Sequence, residues 1–194
     1  MRTVDKSSRE IIEIMGEIVS RVSAGCRIRM VDYRGKEREL DCPPINYVFG
    51  SSTYVKDVLD ELSHTPKGNE IKFPLIALFC PLTERRDSAD YYSKAKARIL
   101  IACSSVQQWS NEQRLQTSFV NILRPIYRRL LEELKEDSRL DFGYDDHISH
   151  EYSENYSYGR YGAIAGTGEA VSEPIDAINI TNLEITVKNS NCKI

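Results

Sequence analysis

No stretch of 18 uninterrupted apolar residues occurs in the sequence, so no segment is expected to cross a bilayer as a helix. Net charge is also scarce. Lys and Arg number 26 against 29 Asp and Glu, a balance of −3 that argues against a protein wrapping nucleic-acid backbone over a broad basic face. Cysteine is sparse: Cys26, Cys42, Cys80, Cys103 and Cys192 are odd in number, widely spaced and never in a C-x-x-C pair. That pattern argues against a disulfide framework and a zinc site, and suits a reducing compartment. The opening residues carry no apolar run of the signal-peptide kind, residue 2 is Arg2 rather than glycine, and Cys192 is misplaced for prenylation. Synthesis in a cytoplasm and action from it are the expectation. There is no internal repeat.

What is present is an ordinary globular composition: 194 residues, 41% hydrophobic, 28% charged and 9% aromatic. A single domain of this length buries roughly 70% of the surface its unfolded chain exposes, so a core needs neither metal nor disulfide. Charge is uneven, because residues 141–194 hold 3 basic and 9 acidic side chains. The last quarter is the acidic part.

Ile11, Ile12, Ile14, Met15, Ile18, Val19 and Val22 recur at helical spacing behind a Ser7–Glu10 capping box, predicting a helix over about 8–22 that Gly25 ends. A hairpin follows, with one strand over 27–33, a turn at Arg34-Gly35 and the return over 36–40. Beyond Gly50, Val55, Val58, Leu59 and Leu62 predict a short helix, and 64–70 reads as a polar loop. Residues 71–79 form the most apolar segment and read as a central strand, with Pro74 as a strike against it. Residues 83–96 are charged and loop-like, and 98–104 read as a second buried strand.

A long helix is expected over about 111–135, capped by Ser110 and Gln113, with Leu115, Phe119, Ile122, Ile126, Leu130 and Leu134 on one face and a kink or a break at Pro125. Arg128 with Glu132, and Arg129 with Glu133, would pair on its solvated side. From 141 to 174 periodicity stops, and 34 residues hold five of the eleven tyrosines and five of the ten glycines. That reads as a long loop or arm, and tyrosine with glycine is the chemistry of contact surfaces. The chain then returns as a strand over 175–187, where Ile178 and Ile180 are out of phase with Leu183, Ile185 and Val187. One buried face therefore demands a bulge at Thr181-Asn182.

Catalytic constellations are thin. Asp145, Asp146, His147, His150 and Glu151 place five metal-ligating side chains in seven residues, but among Gly, Tyr and Ser rather than helix formers, so a solvated loop outweighs a metal site. The glycines at 162, 166 and 168 are followed by Glu169, which would repel a phosphate. Glu70 and Lys72, an acid-x-Lys pair on the edge of an apolar strand, are half of a metal-dependent nuclease core without its upstream aspartate. No G-x-S-x-G elbow occurs, and no cysteine has a histidine nearby. No cofactor is expected. The rival to a structural role is a small metal-dependent hydrolase or nuclease using Asp145, Asp146, His147 and His150, or Glu70 and Lys72.

The order of elements, with Ile45-Asn46-Tyr47-Val48-Phe49-Gly50, the run Lys72 to Phe79, Trp109 with Arg114, Phe119 to Tyr127, and the ending Asp176–Val187, resembles the head–tail connector and tail-terminator proteins of tailed bacteriophages, especially the crAss-like phages of gut bacteria. The resemblance covers most of the chain. It implies an α+β fold, a twisted mixed sheet with helices packed on it, as one connector-type domain over 1–194 with 141–174 as an arm. It implies no enzymatic activity and no cofactor. It also implies a virion protein of the neck, assembled in the host cytoplasm as a cyclic ring of twelve copies, with six as the alternative. Its partners would be adjacent neck, portal or tail proteins, with genomic DNA only as passing cargo and no membrane. Tyr144, Tyr152, Tyr156, Tyr158 and Tyr161 are the expected subunit or partner contacts. Asp141, Asp145, Asp146, Glu151 and Glu154 are the acidic residues expected to face a channel, since a conduit must let the duplex slide.

Overall fold

Ile11, Ile14, Met15, Ile18, Val19 and Val22 form the buried stripe of α1 (Ile11–Gly25) in the computed structural model, which describes residues 9–31, 36–65, 67–86, 91–144, 147–158 and 174–188. The helix starts later than expected, with Glu10 at its N-cap and no side-chain cap bond. Ser7 lies outside the described residues. The expected hairpin follows as β1 (Arg27–Val31) and β2 (Glu37–Asp41), antiparallel with Arg27 opposite Asp41.

A mixed sheet organises the rest, in the order β3 (Asn46–Gly50), β4 (Leu75–Phe79), β6 (Tyr91–Ser104), β9 (Ile175–Lys188) and β7 (Leu140–Asp141). The short β5 (Glu84–Arg85) pairs with β6, and β8 (Glu151–Tyr158) pairs with β9. β3 runs parallel to β4; β4, β6 and β9 alternate in direction. On one face lie α1 and the long helix, which passes through α4 (Asn111–Arg114), a π-helical stretch (Leu115–Leu123) and α5 (Arg124–Glu136). The other face carries α2 (Ser52–Ser63), whose Val55 and Leu59 meet Leu75, Ala77, Phe79, Leu100 and Ala102. This is an α+β fold. Covered on both faces, β4 has no solvated side to alternate with, which is why its sequence is continuously apolar.

Several expectations shift. The apolar strand is shorter, since Ile71 ends a single helical turn, α3 (Gly68–Ile71), with its side chain exposed, and Pro74 stands just ahead of β4. The expected loop at 83–96 is largely strand, because β6 begins at Tyr91. Ile76 lies opposite Ile101, both fully buried beneath the long helix, as predicted. In β9 the bulge is where the phase change requires it: Ala97 faces Leu183 and Ile99 faces Ile180, so Thr181 and Asn182 together oppose Arg98, and Asn182 takes φ 54°. Ile178, Ile180, Leu183, Ile185 and Val187 thereby share one core.

Ser110 and Gln113 form the predicted capping box. Pro125 falls at the start of α5 directly after the π stretch, so a break stands there, and the change of hydrogen-bond register accommodates its missing N–H. Arg129 does pair with Glu133, but Glu133 is buried against α1 rather than solvated. Two networks fix the helices. Arg21 of α1 donates to Glu133 at 2.7 Å and to Asp137 at 2.8 Å, while Arg139 joins Asp137 at 2.7 Å to Glu17 at 2.8 Å. The second, around Arg114, ties the long helix to β9.

Candidate interaction surfaces

β8 is the main feature of the segment expected to be a loop. Its residues pair antiparallel with β9, from Glu151 opposite Thr181 to Tyr158 opposite Ile175. The period of two sends Tyr152, Glu154 and Tyr156 toward the long helix. Tyr156 packs its ring 4.5 Å from that of Phe119, and Tyr152 lies 4.8 Å from Tyr127. Tyr127 shares a 2.7 Å hydrogen bond with His150 Nε2, and His150 Nδ1 is 2.8 Å from the Ile148 carbonyl. Arg124 donates twice to Glu154, at 2.7 and 3.0 Å, and the Tyr152 hydroxyl donates to the same carboxylate. Burial and this carboxylate together raise the Tyr152 phenol above its ordinary range.

Three corrections follow. The arm is not one unbroken loop, because 151–158 is hydrogen-bonded into the sheet. Glu154 is no free acid for a channel wall, since Arg124 neutralises it. Lys72 does not sit on a strand edge: it follows α3, buried, with its ammonium donating to Ser63 Oγ at 2.5 Å and lying 5.6 Å from the Phe73 ring centroid. The Glu70 side chain lies outside the described residues.

The other expected site residues scatter. Tyr144 is fully exposed in the turn after β7, Asp141 accepts from the Gly143 N–H at 3.0 Å, and Glu151 accepts from Thr181 at 2.8 Å. Tyr161, Asp145 and Asp146 lie outside the described residues, and of Tyr158 only the backbone is described. His147 borders a recess of 220 Å³ with Asp141 and Glu184, apart from the Tyr127 partnership that holds His150. Among the described residues no three His, Cys, Asp or Glu side chains converge as metal ligands. No helix among them is long and apolar enough to cross a membrane.

At the far end of the sheet β3 is hydrogen-bonded, among the described residues, on one side only. It borders an apolar groove of 620 Å³, where Phe49, Tyr54 and Ile71 are about half exposed. Gly50 is needed there: its φ is 150°, and a Cβ would stand 2.6 Å from the Tyr54 ring. Sequence reasoning missed this edge, because Tyr47-Val48-Phe49 is apolar throughout and carries no alternation to mark a half-covered strand. No protein-family model matches the chain, and no curated protein matches it in sequence.

Proposed function

We propose that the chain is a structural virion protein, forming a homo-oligomeric ring in a phage neck that joins the portal side to the tail and lets DNA pass. The observation that carries the reading is a sheet whose two end strands are unlike and, among the described residues, paired on one side only. β3 borders the apolar Phe49–Tyr54 groove, and β8 stands at the opposite end with Tyr152 partly exposed. Unlike patches on opposite ends of one subunit suit head-to-tail, heterologous contact, which closes into a ring when the rotation permits. Open edges left unmatched would instead invite aggregation. Twelve copies are the expected number and six the alternative, with adjacent neck, portal or tail proteins stacked above and below.

Near neutrality also supports a conduit. Arg124 is neutralised by Glu154, and Arg129 by Glu132 and Glu133, which leaves little unpaired charge on the long helix to grip phosphates. Negative-stain imaging of the purified chain, beside metal analysis of the same sample, separates this reading from its rival. Closed rings without stoichiometric metal are expected. A bound metal that the His147→Ala/His150→Ala double variant removes, in a chain that forms no rings, would favour a hydrolase instead.

A further inference from the structure

Cys26 and Cys42 sit at the base of the β1–β2 hairpin, one position beyond the last ladder pair, Arg27 opposite Asp41. The Cys42 N–H donates to the Cys26 carbonyl at 2.9 Å. Directly opposed residues at such a position have Cα atoms about 5.5 Å apart, inside the range of roughly 4.4–6.8 Å that a disulfide spans. The two thiols are near enough to shift one another, Cys26 downward and Cys42 upward. Both side chains are reduced and buried.

Cys26 nevertheless forms part of the wall of a recess of 420 Å³ between the hairpin and the long helix. Arg27 and Arg29 enter it from β1, and Arg124, Arg128 and Arg129 from α5. Acids balance this charge: Asp41 lies 3.9 Å from Arg27, Glu39 lies 3.8 Å from Arg29, Glu132 and Glu133 pair with Arg129, and Glu154 holds Arg124. Arg128 is exposed, and the Arg129 guanidinium is packed against Gly25, beside Cys26. The recess is partly open and gives an incoming disulfide a path to the Cys26 sulfur.

We propose that Cys26 and Cys42 are a redox-active dithiol, and that the recess beside Cys26 admits a low-molecular-weight disulfide of the glutathione type as its oxidant. Cys26, deprotonated, attacks one sulfur of the incoming disulfide. The first thiolate leaves and takes up the proton that Cys26 lost, and Cys26 is held as a mixed disulfide. Cys42 then attacks Cys26 Sγ, expels the second thiolate and passes its own proton to it. Two protein thiols are oxidised to one disulfide while one small disulfide is reduced to two thiols. The order of attack follows from the pair itself: the contact with Cys42 lowers the Cys26 thiol below its ordinary value despite burial, whereas the same contact and burial raise Cys42. The product would lock the hairpin base beside the end of α1.

The test uses the purified, reduced, full chain. It is treated with oxidised glutathione, alkylated, and mapped by peptide mass spectrometry. The expected result is a cross-linked peptide joining Cys26 to Cys42, with Cys80 and Cys103 alkylated. Cys42→Ser should instead accumulate glutathione on Cys26. Alkylation of both Cys26 and Cys42 after the glutathione treatment would overturn the dithiol, and a Cys42→Ser chain that takes up no glutathione on Cys26 would overturn the order of attack.

Discussion

Arg114 and Asp176 form a buried ion pair, with Nη1 2.8 Å from Oδ1, the two side chains being 2% and 0% exposed. Every direction around it is used. Ser105 and Ser118 donate to Asp176 Oδ2 at 2.8 and 2.7 Å, and Arg114 also donates to the Ser105 hydroxyl at 2.6 Å and the Val106 carbonyl at 2.8 Å. The pair joins the start of the π stretch to the inner strand β9. Such a pair contributes little against a well-packed apolar replacement, but removing one partner strands a charge in the core. Asp176→Ala is therefore expected to destabilise the subunit by about 3–5 kcal/mol, with Arg114→Met/Asp176→Leu less damaging than Asp176→Ala alone. Urea unfolding measures both; a single variant as stable as the wild type would contradict the account.

Phe119 is fully buried, with Tyr156 stacked 4.5 Å away. Phe119→Ala should cost about 3–5 kcal/mol, as truncation of a buried aromatic does. Because Tyr156 belongs to β8, deleting 144–168 should also destabilise the fold. A deletion variant that melts like the full chain would contradict the pairing of β8 with β9.

Acid should loosen the joint between α1 and α5. Burial alone would raise the Asp137 carboxyl, but hydrogen bonds from Arg139 and Arg21 outweigh it and hold the group down at about 2. An unperturbed aspartate titrates near ~3.9, so the folded state gains stability above that value and loses it as pH falls from about 4 through 2. The loss is on the order of 2 kcal/mol. Unfolding free energies of the wild type and Asp137→Asn should converge over that interval; parallel curves would contradict it.

DNA should bind weakly. With Arg124 and Arg129 already paired to acids, the affinity for linear duplex at about 150 mM salt should not exceed the roughly 10⁻⁴–10⁻⁶ M of non-specific contact. Nanomolar binding in a fluorescence titration would turn attention to the arginines of α5 as a clamping face.

Where large apolar residues repeat, the sequence is legible: α1, β4, the long helix and even the bulge at Thr181-Asn182 follow from spacing. The start of β6 does not, because its inward residues, Ser93, Ala95 and Ala97, are small and alternate with exposed lysines, so no apolar signal marks them. β8 is similarly hidden. It is an edge strand whose one covered face is built from tyrosines and an ion-paired glutamate, residues that in sequence look like a polar loop. The Arg114–Asp176 pair and the Cys26–Cys42 contact join residues 62 and 16 positions apart, and no local pattern announces such partners.

Sedimentation of the purified chain across a wide concentration range tests the central claim most directly. The account predicts a discrete particle of twelve, or alternatively six, subunits of 22.2 kDa, which a charge placed on the β3 edge by Phe49→Asp should dissociate into folded monomers. A wild-type chain that remains a 22.2 kDa monomer at every concentration, and is indistinguishable from Phe49→Asp, would contradict it.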